Sequence, residues 1–380
     1  MTAQSLRRIK AIAWKEFIQI KRDPRSLGLA LALPIFLLFI FGYGLSLDID
    51  HVRTVVWNQD ASSVLTRNFL LNFKNSKYFE IIRYTDNYRD IQHMLDSGEA
   101  MMALVIPKDF SHYIESGTKA PLQLLIDGSD ANTAIIAKGY VQAVVEKYNA
   151  QLLTDAFEEY GIGPPQNLDA RSRVWFNMGL TSTWFIVPGV IAMIIMIISS
   201  LLTSICVARE WERGTMEQLI STPVKAPELI FGKFIPYFVI GFIDLTMGIL
   251  MAIFLFGVPF RGSYTLFIIL SSFFLTGALS QGIWISVVAK TQLMASQMAT
   301  LTTMIPTVLL SGFIYPIFNM PKFVQAITYL VPARYYIVVL RDLFLKAAGI
   351  GNIWDEGLFL FLFAILMFGL AIIKFKKKVA

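Results

Sequence analysis

The chemically most distinctive residues form a charged stretch, R-E-W-E-R-G-T-M-E-Q-L, which runs from Arg209 to Leu219 directly after the uncharged run Leu180 to Ala208. Its carboxylates and guanidinium groups alternate around Trp211, and helical spacing puts Glu212 and Met216 on neighbouring turns. Protein interfaces favour aromatic residues, methionine and arginine. The stretch is therefore either a helix that docks on another protein or an ordinary solvated loop, and these residues leave both interpretations open.

A single acidic residue, Asp244, interrupts the apolar run from Phe234 to Phe260. At 1.5 Å per helical residue it lies roughly 15 Å from the start of that run. If the run crosses a membrane, a charge at this depth costs about 2.5–3.5 kcal/mol. Asp244 is then either a cation or proton site on a transport path, or a protonated or hydrogen-bonded aspartate that faces a neighbouring helix.

Other patterns for catalysis or cofactor binding are weak. The three histidines have no metal-ligand spacing, and D-G-S-D (127–130) lacks the acidic ladder and distal glutamate of a calcium loop. No G-x-x-x-x-G-K-[ST] motif occurs, so this sequence carries no P-loop for ATP. We therefore expect no catalytic residues, no metal site, no cofactor in this chain and no enzymatic activity.

The composition is that of a membrane protein. Of the 380 residues 55% are hydrophobic and 16% are charged, against roughly 25% charged in soluble domains. The net charge of +6 could suggest nucleic acid, but the basic residues cluster at the ends of apolar runs. Their positions fit orientation in a membrane better than nucleic-acid binding.

The apolar runs predict a multi-pass α-helical membrane protein with six transmembrane helices. We place them at 27–47, 178–208, 229–260, 264–289, 293–316 and 353–375. Basic residues before the first run and after the last put both termini in the cytoplasm. Residues 317–352 are too charged to span simply and predict re-entrant or interfacial short helices on the outer side.

Two segments lie outside these runs. Residues 48–177 alternate strand-like and helix-like stretches, which predicts an extracytoplasmic α/β domain with a largely parallel sheet, inserted between helices 1 and 2. G-I-G-P-P-Q-N (161–167) would link it back to the membrane. Residues 1–26 predict an amphipathic helix with apolar positions Leu6, Ile9, Ala13, Phe17 and Ile20. Its basic face would lie on membrane lipid, and Pro24 would break the helix.

Several motifs resemble those of ABC-2 type exporter permeases. K-E-F-I-Q-I-K-R-D-P-R-S-L (15–27) resembles the cytoplasmic entry of that family, and A-R-E-W-E-R-G-T-M-E-Q-L-I-S-T-P-V (208–224) resembles its coupling segment. L-S-G-F-I-Y-P (310–316) and L-V-P-A-R-Y-Y (330–336) are similar to its last external region. The order of parts agrees too, so the resemblance covers essentially the whole chain.

The resemblance implies the membrane subunit of an exporter in the bacterial plasma (inner) membrane. It implies a partner ATPase subunit that binds ATP and Mg²⁺, and a second permease copy or paralogue in a homo- or heterodimer. A periplasmic accessory protein stays open as a further partner, and nothing chooses the transported solute. The residues implied in coupling to the ATPase (209–228) are Arg209, Glu210, Trp211, Glu212, Arg213, Gly214, Thr215, Glu217 and Pro223. Those implied in the elbow helix beside them are Lys15, Glu16, Arg22, Asp23 and Pro24.

Two other classes of function remain as alternatives. One is a membrane receptor or scaffold with an extracytoplasmic ligand-binding domain, which would not need the charged stretch to engage an ATPase. The other is an ion-coupled secondary transporter that uses Asp244.

Overall fold

The computed structural model describes residues 3–44, 51–129, 131–159, 176 and 181–375. The chain divides into two compact units, one formed by Met1–Ser46 with Val174–Ala380 and the other by Leu47–Arg173. The predicted domain boundaries at 47–48 and 177–178, and the predicted linker at 161–167, lie outside the described residues.

The first unit begins with an elbow. Helix α1 (Ala3–Arg22) ends before Asp23, and the short helix α2 (Pro24–Leu27) starts with the proline. Proline is well tolerated at the first position of a helix, where no backbone N–H is needed. A π-helical turn (Gly28–Ala32) and helix α3 (Leu33–Gly44) then form the first apolar segment.

The second unit is a four-stranded sheet with helices on both faces. Strands β1 (Val52–Asn58), β2 (Phe79–Tyr84), β3 (Met102–Ile106) and β4 (Gln123–Ile126) lie in the order β2-β1-β3-β4. Strand β1 is parallel to both of its neighbours, whereas β4 is antiparallel to β3. The helices are α4 (Val64–Lys74), α5 (Tyr88–Asp96), α6 (Phe110–Glu115) and α7 (Ala131–Glu159).

Alternation along β1 separates two cores in this unit. Val52 and Val56 point into a core shared with the aromatic side chains of α4 and with α7. Val55 points to the opposite face, where it packs with Ile91 and Met94 of α5. Successive side chains of a strand face opposite sides of its sheet. A strand with apolar residues at both odd and even positions is therefore buried on both faces.

The rest of the first unit is helical. Its helices are α8 (Ser182–Glu212), α9 (Thr215–Ser221), α10 (Ala226–Phe254), α11 (Tyr264–Ala289), α12 (Gln292–Ala299), α13 (Ile305–Leu310), α14 (Lys322–Thr328), α15 (Pro332–Arg341) and α16 (Trp354–Lys374). A second π-helical turn (Thr300–Met304) joins α12 and α13 into one span, and a third (Asp342–Lys346) extends α15.

Five of the described helices are long and apolar enough to cross a membrane, and a bent pair raises that number to six. The five are α8, α10, α11, the span from Gln292 to Leu310, and α16. The bent pair is α14 with α15 and its extension, which meet at 78°. These helices confirm a multi-pass helical protein. The apolar helix Ala30–Gly44 is shorter, and at 1.5 Å per residue it covers about 22 Å. The predicted span at 27–47 therefore stays a prediction.

Two predicted boundaries differ from the structure. Helix α8 continues through Arg209–Glu212 because nothing in that turn disfavours a helix before Gly214. The fifth span ends at Leu310, well before the predicted end at 316, and Gly312 follows in a left-handed conformation with φ +80°. Glycine adopts this conformation without the steric cost that a Cβ imposes.

Close backbone approach holds α8 against α11. Ser286 Oγ accepts hydrogen bonds from the backbone N–H groups of Val207 and Ala208, each at 2.9 Å. Thr203 Oγ1 donates to the Leu279 carbonyl at 3.0 Å. A Cβ on Gly282 would overlap Thr203 Oγ1 and a backbone carbonyl of α8. Small residues at such a contact are typical of packed membrane helices.

We predict that Gly282→Ala lowers the free energy of unfolding by about 1–3 kcal/mol, because the added methyl group must push two packed helices apart. Gly369→Ala on α16 is the matched control, since a Cβ at that position would meet no atom within 4 Å. Thermal unfolding of the purified variants in one detergent measures both effects. Equal midpoints for Gly282→Ala and the wild type would contradict the packing described.

Candidate coupling site where α1, α8 and α10 meet

The charged stretch begins as the last turn of α8. Backbone N–H groups of Arg213 and Gly214 close this turn on the carbonyls of Arg209 and Trp211, both at 3.1 Å. Gly214 has φ +71°, a left-handed conformation that ends the helix and turns the chain into α9. The membrane helix and the charged surface are therefore one continuous element.

Beneath this turn, a buried lysine joins three helices. Lys233 of α10 is 0% exposed, and its Nζ donates to Glu16 Oε1 of α1 at 2.7 Å. The same Nζ forms an ion pair with Glu210 Oε2 of α8 at 2.9 Å and donates to the Cys206 carbonyl at 3.3 Å. Lys15 donates to the other oxygen of Glu210. Two carboxylates thus face two ammonium groups, which compensates for their loss of water.

Further polar contacts attach α1 along its length. Arg8 donates to the Pro223 carbonyl at 2.8 Å and lies 3.5 Å from Glu228 Oε2. Near the other end of α1, Arg209 Nη1 lies 3.2 Å from Asp23 Oδ2. The elbow helix is therefore fixed to the loop after α9, to the start of α10 and to the end of α8.

Apolar packing also holds α1 against α10. Ile9, Ile12 and Ile20 are buried, and a Cβ on Gly232 would lie 2.6 Å from Ile12 Cβ. The bare backbone of Gly232 therefore allows α1 to approach α10 closely.

The predicted apolar stripe of α1 is buried along one edge and exposed along the other. Ile9 and Ile20 pack inside the protein, whereas Leu6 and Phe17 are 64% and 43% exposed, together with Trp14 at 64%. The buried positions of α1 are Ile9, Ile12, Glu16 and Ile20, so the buried face includes the edge of the stripe that carries Ile9 and Ile20 and leaves Leu6 and Phe17 outside it.

A basic groove opens beside the cluster. It has a volume of about 770 Å³. The side chains that line it come from the elbow, from the end of α8 and from the start of α12, and they include Lys15, Arg22, Asp23, Pro24, Arg209, Arg213 and Gln292. The charged members are four cations and one carboxylate, so the groove suits an acidic protein surface.

The predicted coupling residues separate into buried and exposed sets. Glu210 is buried and Trp211 is half-buried, with the Lys290 ammonium 5.7 Å from the centre of its ring. The exposed members are Glu212, Arg213, Gly214, Thr215, Glu217 and Pro223. Glu212 accepts hydrogen bonds from the Gln292 backbone and side chain at 3.2 and 2.7 Å, which connects α8 to the fifth span.

Met216 does not contribute to the exposed surface. Its side chain is fully buried in the core of the first unit. The interpretation of Met216 as an interface residue was wrong, because a methionine beside charged residues can also anchor a short helix to its own protein.

Sequence reasoning missed Lys233, Arg8, Glu228 and Gln292. A signal for Lys233 was present, because it is the one charged residue between Leu229 and Asp244 in the predicted membrane helix 229–260. A lysine inside such a run requires carboxylate partners on adjacent elements. The partners themselves come from distant parts of the chain, and no local pattern reveals them.

Asp244 lies apart from this cluster. It is eleven positions beyond Lys233, about 16 Å along α10. The side chain is 5% exposed, and its Oδ1 has no hydrogen-bond partner among the described residues. The small space around it is otherwise apolar and is lined from α3 and α8 by Pro34, Leu38, Ile191 and Ile195. The described side chains around this space offer the carboxyl group neither a cation nor a hydrogen-bond donor.

Known transporter proteins resemble this chain over most of its length. Residues 26–373 match the family described as ABC-2 family transporter protein. The chain is 36% identical over 379 residues to the probable multidrug ABC transporter permease YbhS of Escherichia coli K12, covering 98% of each chain. It is 29% identical to the probable multidrug ABC transporter permease YbhR of the same strain, covering 92% of this chain and 93% of YbhR. The inner membrane transport permease YhhJ of that strain is 26% identical, covering 75% of each chain.

We predict that Lys233→Met lowers the free energy of unfolding by about 3–5 kcal/mol, because it leaves buried carboxylates without their shared partner. Replacing the two acids as well, in Glu16→Gln/Glu210→Gln/Lys233→Met, should recover most of the lost stability. Lys10→Met on the exposed side of α1 serves as the control and should change it by less than about 0.5 kcal/mol. Thermal unfolding in detergent measures the stability of all three variants. A triple variant that is even less stable than Lys233→Met would contradict a cluster in which the lysine and the two acids compensate each other.

Proposed function

The chain belongs to the ABC-2 family of transporter proteins and is a permease subunit, and from this premise we propose how it couples to its energy source. A separate cytoplasmic ATPase subunit docks on the exposed residues from Glu212 to Glu217 and on the basic groove beside them. The permease forms the translocation path and opens it toward the outside when the ATPase closes on ATP.

The observation that carries this proposal is that the exposed charged residues are directly connected to the membrane helices. The exposed turn at Gly214 follows directly on α8, and the Lys233 cluster joins α8 to α1 and α10. Glu212 adds a connection to the fifth span through Gln292. A displacement of the docking surface therefore moves several membrane helices together and does not dissipate in a loop.

We propose that the partner supplies all ATP chemistry. This sequence has no P-loop motif, and ABC permeases pair with ATPases that bind ATP and Mg²⁺. Two different permeases of one bacterium resemble this chain over most of its length. Their resemblance supports assembly with a second permease, either an identical copy or a paralogue.

We propose a bacterial inner-membrane location with both termini in the cytoplasm and the α/β unit outside. Lysines and arginines flank the first and last apolar runs, which supports this orientation. The exposed Leu6, Trp14 and Phe17 of α1 would then lie in the inner leaflet.

The word multidrug in the names of two relatives supports a hydrophobic or amphipathic solute. Family membership removes the receptor and secondary-transporter alternatives.

We predict that Glu217→Arg abolishes recovery of an ATP-binding subunit with the tagged permease from native membranes. Glu217 is exposed and makes no bond within the described chain, so reversing its charge perturbs the docking surface and leaves the fold intact. Affinity purification with mass spectrometry measures the loss. Glu115→Arg, an equally exposed change on α6, is the control and should retain the subunit. Equal recovery with both variants would place the docking surface elsewhere.

We predict opposite accessibility for cysteines placed at the same two positions. Cys206 is the only native cysteine and is buried, so it contributes little background. A membrane-impermeant maleimide should label Glu115→Cys in spheroplasts, whereas it should label Glu217→Cys only after lysis. Labelling of both positions in intact spheroplasts would contradict the proposed orientation.

A further inference from the structure

Strand β2 (Phe79–Tyr84) forms an open edge of the sheet in the α/β unit. It pairs with β1 on one side only, and the described residues offer its other side no backbone partner. Ile82 and Tyr84 are exposed, and the strand contains neither proline nor lysine. Proteins usually protect an edge with such residues or with a covering segment, because its free N–H and C=O groups can pair with another chain. This edge is therefore suited to accept a further strand.

An irregularity in β2 puts its two charged side chains on the same face of the sheet. Glu80 pairs with Arg53 of β1. The register then shifts by one residue, and Arg83 pairs with Val55. Arg53 and Val55 are two positions apart, so they point to the same face, and Glu80 and Arg83 follow them. In a regular strand, residues three apart would point to opposite faces, so the bulge has re-aimed one of them.

The order of residues along β2 is self-complementary. When two copies pair antiparallel about a two-fold axis between Ile81 and Ile82, Glu80 of each copy lies opposite Arg83 of the other. Because the bulge puts both side chains on one face, each carboxylate can reach the guanidinium group across the junction. Neither Glu80 nor Arg83 has an ion pair or hydrogen bond within the described part of the chain, so both are available.

Neighbouring positions fit the same register. Phe79 lies opposite Tyr84 of the second copy, and both pair with β1 residues that point to the core shared by α4 and α7. Just beyond the two ends of the strand, the register brings Lys77 near Asp86 of the second copy. Opposite charges across a strand pair stabilise it, as do aromatic pairs.

Other antiparallel registers lose these contacts. A shift of one residue places Glu80 opposite Ile82 or Tyr84, which leaves its carboxylate without a cation. A shift of three residues places Glu80 opposite Glu80, or Arg83 opposite Arg83, and like charges directly opposite are destabilising. The charges therefore specify a single register.

We infer that β2 pairs antiparallel with β2 of a second, identical copy, with Glu80 opposite Arg83. The two four-stranded sheets then join into one continuous sheet. A two-fold contact uses the same surface on both copies, so it closes a dimer and does not propagate. The inference rests on the proposed function only for the presence of a second permease, and it makes that permease an identical copy.

Cysteine crosslinking of the full-length chain in native membranes tests the register. Copies carrying Glu80→Cys and Arg83→Cys are co-expressed with different tags and oxidised with copper phenanthroline. Opposite residues of antiparallel strands have Cα atoms about 4.5–5.5 Å apart, within reach of a disulfide, so we expect a dimer that carries both tags. Glu80→Cys alone should not crosslink, because the two cysteines would lie about 10 Å apart. The native Cys206 is buried and does not interfere.

Glu80→Cys co-expressed with Glu115→Cys is the matched control, since Glu115 is equally exposed but lies on α6. Crosslinking of Glu80→Cys with Arg83→Cys that is no greater than in this control would overturn the inference. So would equal crosslinking of Glu80→Cys with itself, or a disulfide from these cysteines to a different protein in place of the second copy.

A charge-reversal cycle tests the ion pairs with both charged positions free of cysteine. The reporter is Ile81→Cys co-expressed with Ile82→Cys, which lie opposite each other in this register. Glu80→Arg in both copies should lower the rate of crosslinking about fourfold or more, because like charges replace two opposite-charge pairs. Glu80→Arg/Arg83→Glu should restore it, and Glu115→Arg should leave it unchanged. A double reversal that crosslinks no faster than the single one would overturn the pairing.

The same membranes distinguish this inference from the proposed function. Crosslinking across β2 without any copurifying ATPase would support the strand pairing and contradict the coupling mechanism. A copurifying ATPase without crosslinking across β2 would do the reverse.

Discussion

A fully buried ammonium group constrains the geometry at the cytoplasmic end of the helical unit. Lys233 is shielded from solvent, so Glu16 and Glu210 must stay within about 3 Å of its Nζ whenever the group is charged. Those two carboxylates belong to different helices, and neither can move away without exposing an uncompensated charge. The mutual position of α1, α8 and α10 therefore follows from electrostatics as well as from apolar packing.

In the proposed coupling, this constraint allows the charged stretch to transmit force to the membrane helices. A flexible loop between docking surface and membrane would absorb a small displacement, because local backbone rotations cost little. Here Glu210, the residue held by Lys233, is only four positions before the left-handed turn at Gly214. The exposed residues that follow are thus attached to a buried anchor at about one helical turn. In the same proposal, the hydrogen bond between Gln292 and Glu212 carries the displacement to the fifth span.

The sequence predicted the features that depend on local composition. Long apolar runs identified the helices α8, α10, α11 and α16, and the alternating stretches after the first run identified the strands. The resemblance to exporter permeases, now shown by the family match, rested on short motifs at the correct positions. None of these signals contains distances between remote residues.

Features that depend on tertiary contact could not be predicted in the same way. The burial of Met216 and the partial exposure of the apolar stripe of α1 follow from which neighbours those helices meet. Lys233 illustrates the limit most clearly. Its position in an apolar run indicated that it needs partners, but Glu16 and Glu210 lie far away in sequence on two other helices. The π-helical turns likewise have no simple sequence signature, although one of them lies beside Pro306.

Asp244 and Gln281 illustrate different ways of burying a polar side chain. Asp244 lies among aliphatic side chains with hardly any free space, so neutralisation by a proton is enough to make it tolerable there. Gln281 cannot be neutralised, because its amide is polar in every protonation state. Its Nε2 donates to Thr303 Oγ1 at 3.0 Å, so a hydroxyl group of the fifth span satisfies part of the amide within the helical unit.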